Sequence, residues 1–209
     1  MVRLKGPLMS MEASGTIGNT LVFAKWKGRD YARRHAIPSN PRSGLQVGIR
    51  AVFGFIAQHY ASLTTGNETK WADIAADLGL TSLNAYTRDA VRRARRNLGW
   101  RADADGDATD APGAPTGAAA TAQPRTLVLE WTNDVAGDEP DYCTAIYRNE
   151  GATADTADIS ILVAVVPISQ QTYTDTNLTS GQAYSYSFRH VNKNGGLGTV
   201  ATLENETPE

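Results

Sequence analysis

The chain has 209 residues, of which 41% are hydrophobic and 20% charged, so it is long enough for two small globular domains. Its net charge of -2 hides an asymmetry, because residues 1–101 contain 16 of the 20 Lys and Arg but only 6 of the 22 Asp and Glu. A single cysteine, Cys143, excludes an intramolecular disulfide and a thiolate metal cluster, and no apolar run reaches the length of a membrane span. Two halves of opposite charge suggest two partners, or contact between the basic half of one copy and the acidic half of another.

The first predicted element is a β-hairpin. Apolar and aromatic residues lie on both sides of a turn at Gly28, with one strand over residues 21–27 and the other over residues 31–35. Aromatic and basic residues alternate here, as they do in proteins that bind single-stranded nucleic acid. A hairpin with one buried face gives the same pattern, so the alternation alone does not indicate nucleic acid.

Three amphipathic helices are predicted next, over residues 45–60, 68–78 and 82–98. Ser43 is the expected N-cap of the first helix, and Gly79 ends the second. The residues expected to face inward are Leu45, Ile49, Val52, Phe53, Ile56, Tyr60, Trp71, Ile74, Ala75, Leu78, Leu83, Tyr86, Ala90, Val91, Ala94 and Leu98.

Residues 102–123 have the composition of a flexible linker. They lack aromatic and large aliphatic side chains and consist mainly of Ala, Asp, Gly, Thr and Pro. The aspartates do not fit a calcium-binding loop, since an EF-hand with its glycine at Gly106 would begin at Arg101 and end at Pro112. We therefore expect two domains that move independently.

The C-terminal part has the pattern of an all-β domain. Strands are predicted over residues 126–132, 142–148, 159–166, 172–174, 183–191 and 199–203, separated by turns rich in Asp, Asn, Gly and Thr. Cys143 falls in one of these strands, where we expect a buried thiol. The first strand of the sandwich is not obvious: either residues 118–123 supply an edge strand, or the sandwich is incomplete.

The segment from Leu178 to Gly198 contains Gly181 and, three residues later, Tyr184. This pattern resembles the end of a fibronectin type III domain, although the proline that usually precedes the turn glycine is Ser180 here. The resemblance implies that Tyr184 is the tyrosine corner, whose hydroxyl bonds back to the chain, and that Trp131 is the core tryptophan of the second strand. It also implies a binding or spacing role rather than catalysis.

Short motifs spread over residues 14–90 form a second resemblance. The motifs are Ser14-Gly15, Gly18-Asn19, Asn40-Pro41-Arg42, a helix with Gln46 and Arg50, a later Trp71, and Asn84-Ala85-Tyr86. They resemble a group of small proteins encoded among the structural genes of tailed bacteriophages and prophages. The resemblance implies a virion component, whose partners are other virion structural proteins, further copies of itself and, through the C-terminal domain, the host surface.

The sequence therefore predicts an α+β protein with a basic attachment domain over residues 1–101, a linker over 102–123 and a fibronectin-like β-sandwich over 124–209. No nucleophile elbow, phosphate loop or carboxylate pair is present, so we expect neither an enzyme nor a cofactor. Trp71, Trp131 and Tyr184 are expected to be structural. The side chains expected to dock on a partner are Trp26, Arg29, Arg33, Arg34, Arg42, Arg50, Arg92, Arg93, Arg95 and Arg96.

Two other functions fit parts of the sequence. Residues 71–88, with Gly79 at a turn, resemble a helix-turn-helix, and the arginines over residues 92–96 have the charge for phosphate contacts. A recognition helix carries its base-reading residues near its N-terminus, whereas these arginines follow at the C-terminal end. A carbohydrate-binding adhesin would instead require exposed aromatic residues on the sandwich.

Overall fold

A computed structural model describes residues 15–18, 20–37, 39, 42–106, 111–133, 141–151 and 158–209, and the chain divides into two compact units, Met1–Pro41 and Arg42–Glu209. Ser14, Asn19, Asn40 and Pro41 of the phage-like motifs lie outside the described residues, as do residues 107–110 of the predicted linker.

The first unit contains the predicted hairpin as part of a three-stranded antiparallel sheet. Its strands are β1 (Gly15–Ile17), β2 (Leu21–Trp26) and β3 (Arg29–Arg34), in that order. Lys27 and Gly28 form the two-residue turn with φ of 48° and 79°, which is the left-handed geometry of a type I′ turn. The turn fixes the register, so that Trp26 pairs with Arg29.

The second unit begins with the three predicted helices, α1 (Gly44–His59), α2 (Thr65–Leu78) and α3 (Ser82–Ala94). Ser43 is the N-cap residue of α1 but makes no side-chain capping bond. The Thr64 and Thr81 hydroxyls cap α2 and α3 by accepting hydrogen bonds from the backbone N–H groups three residues later, at Asn67 and Asn84. The third helix ends four residues before the predicted boundary, since Arg95 is its C-cap.

The buried face of α1 differs from the predicted one. Leu45 and Phe53 are 42% and 53% exposed, whereas Phe55, which is not among the residues expected to face inward, is 3% exposed. The inward face is therefore centred on Val52, Phe55 and Ile56. The other residues expected inside that prove to be more than a third exposed are Leu78, Leu83 and Leu98.

Seven strands complete the described part of the second unit and form two antiparallel sheets. One sheet has the order β4-β5-β8 and the other β10-β9-β6-β7, which is the three-plus-four arrangement of a fibronectin type III domain and confirms the predicted fold. The strands are β4 (Thr116–Gln123), β5 (Thr126–Thr132), β6 (Asp141–Glu150), β7 (Leu162–Pro167), β8 (Thr172–Thr176), β9 (Tyr184–Asn192) and β10 (Leu197–Glu206).

Two residues singled out in the sequence occupy their expected places in the sandwich. The Tyr184 hydroxyl accepts a hydrogen bond from the Thr179 backbone N–H at 3.1 Å, which is the bond expected of a tyrosine corner. Trp131 is 3% exposed, and its ring centroid lies 5.4 Å from that of Phe188. Both side chains therefore belong to the core between the two sheets.

The helices and the sandwich share a hydrophobic core, which corrects the predicted division at residues 102–123. On β6, Ile146 faces the core between the sheets, while Cys143, Ala145 and Tyr147 face the opposite way and pack in one cluster with Val52, Phe55 and Trp71 of the helices. The four-stranded sheet is consequently covered on both faces, as the almost continuous burial of β9 shows.

The segment predicted as a linker is ordered in its described parts. The Trp100 indole N–H donates to the Cys143 sulfur at 3.2 Å, and the Trp71 indole N–H donates to the Ala102 carbonyl at 2.8 Å. The Ala102 N–H in turn donates to the Lys193 carbonyl between β9 and β10. Residues 116–123 form β4, so the first of the two alternatives for the missing strand, an edge strand, is confirmed.

Candidate interaction site

The described residues contain no candidate metal site. No group of three His, Cys, Asp or Glu side chains in this part of the chain could hold a metal ion. Cys143 is fully buried, as expected. Among the described helices, none has both the length and the apolar character needed to cross a membrane. Exposed surfaces of defined charge and shape remain as the candidates for function.

The sheet of the first unit presents large side chains on both faces. Side chains alternate along a strand, so the pairs Trp26–Arg29, Ala24–Tyr31 and Val22–Arg33 all lie on one side. The Leu21–Arg34 pair lies on the other side, where Leu21 is 42% exposed. Val22, Phe23 and Ala24 of β2 are half-buried, and none of the described side chains of residues 15–37 is fully buried.

Four side chains form what we term the Trp26 face: Trp26, Arg29, Tyr31 and Arg33. Trp26 is 66% exposed and Tyr31 43%, and both arginines are exposed. The Lys27 ammonium lies 4.9 Å from the centroid of the Trp26 ring. The structure thus brings together Trp26, Arg29 and Arg33, which were predicted to dock on a partner, and adds Tyr31. The two-residue turn and the alternation of side chains along the strands would have been enough to place Tyr31 on this face.

The remaining predicted docking residues lie elsewhere. Arg34 is exposed on the opposite face of the sheet, whereas Arg42, Arg50, Arg92, Arg95 and Arg96 are exposed on the second unit. Arg93 is different, because its Nε donates to the Gly99 carbonyl and its Nη2 lies 3.5 Å from the Gly195 carbonyl. Burial lowers the pKa of this guanidinium. Arg93 therefore orders the segment after α3.

The two helices of the helix-turn-helix hypothesis, α2 and α3, pack into the shared core. Trp71 and Tyr86 are nearly inaccessible and meet edge to face, with ring centroids 5.3 Å apart. At the N-terminal end of α3, Leu83 and Asn84 are exposed, and the exposed arginines follow at its C-terminal end. The N-terminal turn of α3 thus exposes Asn84 and the capping residue Thr81, and none of residues 81–84 is an arginine or a lysine.

One end of the sandwich is acidic. We term it the acidic end and define it by Glu150, Glu204, Glu206 and Glu209. Glu150 and Glu206 both pair with Tyr184 in the four-stranded sheet, so their strands end at the same level. Within the described part of the chain, none of the four belongs to an ion pair. Sequence reasoning missed this group, although the negative balance of residues 102–209 indicated it.

The outer face of the three-stranded sheet is polar. Its exposed side chains include Glu130 and the threonines of β8 at positions 172, 174 and 176. The only large hydrophobic side chain exposed on the described part of the sandwich is Val200, at 38%. A carbohydrate-binding platform of exposed aromatic residues is therefore absent from the described sandwich.

Comparisons with known proteins give similarities of fold for about half of the chain. No family model and no curated protein matches it. A solved structure described as FN3tt mut has 21% identity and a TM-score of 0.38, and the match covers 48% of this chain and 100% of that one. The fn3 domain of the human collagen alpha-1(XX) chain has 13% identity and a TM-score of 0.38, covering 49% of this chain and 90% of that one.

A third similarity is to the Clostridium perfringens spore cortex lytic enzyme SleM, with 17% identity and a TM-score of 0.35. This match covers 45% of the present chain and spans 28% of the length of that enzyme. The fibronectin type III assignment accordingly stands on the strand order and the Tyr184 bond of the present chain.

Proposed function

We propose that this chain is a non-catalytic structural protein of a tailed-bacteriophage particle, in which residues 1–41 attach to the particle and residues 42–209 project from it as a decoration or adhesion module. The observation that carries the proposal is the contrast between the two units. The first has a sheet with exposed aromatic and apolar side chains on both faces, and the second has two extensive cores.

A sheet exposed on both faces gains stability when a partner covers it. Burying an aromatic side chain contributes roughly 2–3 kcal/mol, and Trp26 and Tyr31 both offer such surface. The guanidinium groups of Arg29 and Arg33 suit carboxylates on a protein partner, which they bind through paired hydrogen bonds. Attachment through the first unit leaves the sandwich and its helices free to point outward.

The proposed boundary differs from that predicted from sequence. The helices belong to the projecting unit, because they share a core with the sandwich. The phage-like motifs at Gln46, Arg50, Trp71 and Tyr86 consequently lie in the projecting unit rather than in the attachment unit. The resemblance to phage structural proteins therefore supports the assignment to a phage particle. It does not support the boundary between the attachment unit and the projecting unit.

The test uses a phage or induced prophage whose genome encodes the chain. We expect the full-length protein in gradient-purified particles at a fixed ratio to the major capsid protein, measured by quantitative mass spectrometry. A variant without residues 1–41 should fold, as judged by circular dichroism, and be missing from the particles. Absence of the full-length chain from particles, together with salt-sensitive binding to duplex DNA, would favour the helix-turn-helix alternative instead.

A further inference from the structure

Two exposed surfaces of opposite charge are present on every copy of the chain. The Trp26 face carries Arg29 and Arg33 beside two aromatic rings, and residues 15–37 as a whole contain five Lys or Arg against one Asp. The acidic end carries four glutamates. Each surface is described within its own unit, and each is exposed there.

The acidic end has little internal neutralisation. Arg148, two residues before Glu150 on β6, is already paired with Asp175 at 2.9 Å. The Arg125 N–H donates to the Glu209 carbonyl at 2.8 Å. Its guanidinium Nε, however, donates to the Leu178 carbonyl at 3.3 Å. Glu150 and Glu204 are exposed, and Glu206 is half-buried at the end of β10. Like-charged carboxylates held at one end of a sheet repel one another until a cation approaches.

We propose that the Trp26 face of one copy docks on the acidic end of a second copy. The proposal rests on the proposed function, in which many copies assemble on a particle, and it names a partner for the attachment unit. Guanidinium–carboxylate pairs would supply the orientation, while Trp26 and Tyr31 would lose exposed surface. Because the two surfaces are different, the contact is heterologous: repeated from copy to copy it builds rings or chains, and made reciprocally by two copies it closes a two-fold dimer.

A second copy fits this face better than a nucleic acid does. The chain itself provides four glutamates at the acidic end to meet the five Lys and Arg of residues 15–37, and both surfaces are present at equal concentration in any solution of the protein. A single-stranded nucleic acid would need a longer basic groove than one with Arg29 and Arg33 beside two rings.

Sedimentation velocity of the purified full-length chain tests the proposal. We expect association that rises with protein concentration and falls at least tenfold in affinity between 50 mM and 500 mM NaCl. Arg29→Glu with Arg33→Glu should abolish it, and so should Glu150→Arg with Glu204→Arg. An equimolar mixture of these two double variants should associate again, because each then offers the surface that the other lacks.

The matched control is Arg92→Glu with Arg96→Glu, which makes the same charge change in the last turn of α3 and just after the helix, and should leave association unchanged. A monomer at every concentration would overturn the proposal, as would a mixture that stays monomeric or a control that dissociates equally. The proposal would also be overturned, in favour of nucleic-acid binding, if the chain does not self-associate but binds a 20-nucleotide single-stranded DNA and loses that binding in the Arg29→Glu, Arg33→Glu variant.

The two proposals fail in different ways. Particles that incorporate the Arg29→Glu, Arg33→Glu variant normally would reject docking between copies and leave the virion assignment intact. Self-association with rescue by mixing, in a protein absent from purified particles, would reject the virion assignment and leave the docking intact.

Discussion

Arg148 on β6 and Asp175 on β8 form an ion pair that connects the two sheets of the sandwich. The Arg148 Nη1 lies 3.1 Å from Oδ1 and 2.9 Å from Oδ2 of Asp175. The Tyr186 hydroxyl donates to the same Oδ2 at 2.9 Å. Asp175 is 4% exposed, and a buried carboxylate is tolerated only when its oxygens have such partners. Burial, followed by the nearby carboxylate, raises the pKa of Tyr186 well above its ordinary value.

Removal of one partner should therefore cost more than removal of both. We expect Arg148→Met to lower the free energy of unfolding by about 3 kcal/mol, because the Asp175 carboxyl group would be left in an apolar setting with Tyr186 as its remaining side-chain partner. The double variant Arg148→Met, Asp175→Leu should recover most of that loss. Urea unfolding followed by tryptophan fluorescence measures both. Equal destabilisation in the single and double variants would show that the ion pair itself, and not the unpaired charge, matters.

Alkaline stability should depend on Tyr147, whose pKa burial raises to about 12 from an ordinary 10.0. The unfolded chain loses this proton at lower pH than the folded chain, so the contribution is complete below pH 10 and is lost as the pH rises to 12. We expect a decline of about 1.4 kcal/mol for each pH unit in that window. Tyr147→Phe should remove the contribution of Tyr147 to this decline in the free energy of unfolding and leave the contribution of Tyr186.

The control for that measurement is Tyr31→Phe, since Tyr31 is 43% exposed on the sheet of the first unit. Its replacement should leave the alkaline decline unchanged. Urea midpoints between pH 8 and pH 11.5 decide the matter, and a Tyr147→Phe curve that coincides with wild type would mean that this phenol does not contribute.

Local pattern was sufficient to predict the hairpin, the three helices and most of the sandwich strands. The turn at Gly28 and the alternation around it fix the register of β2 and β3. Tyr184 could be assigned because a tyrosine corner depends on a short segment of sequence and a local backbone bond. Features decided by neighbouring residues in sequence were therefore accessible without the structure.

The shared core could not be predicted in this way. β4 contains Thr, Gly, Ala and Gln, and it is a strand because β5 pairs with it rather than through its own propensity. On β6, the residues that face the helices include Cys143 and Ala145, which are too small to indicate a buried second face. The internal hydrogen bonds of Arg93 could not be predicted for a related reason, since only the fold brings the Gly99 and Gly195 carbonyls to it.

Truncation distinguishes one shared core from two domains. We expect deletion of residues 1–41 to leave a single cooperative thermal transition, within about 3 °C of the full chain. Deletion of residues 1–101 should expose Cys143, Ala145 and Tyr147 together and lower the midpoint by more than 10 °C, since about 1 kcal/mol corresponds to 4–8 °C in a domain of this size. Calorimetry and binding of an apolar dye measure both. A fragment 102–209 as stable as the full chain would mean that the helices contribute little.

Two glycines of α1 offer the sharpest test of how the helix meets the sandwich. A Cβ atom at Gly48 would lie 2.1 Å from the Ile159 carbonyl oxygen, whereas a Cβ atom at Gly54 would meet nothing within 4 Å. We expect Gly48→Ala to destabilise the protein by about 1–3 kcal/mol, because the helix must move away from the backbone before β7. Gly54→Ala should stabilise it by about 0.5–1 kcal/mol, since alanine loses less backbone entropy in a helix. Thermal and urea unfolding compare the two. If both substitutions stabilise, α1 does not approach the sandwich as closely as this, and the shared core would need to be redrawn.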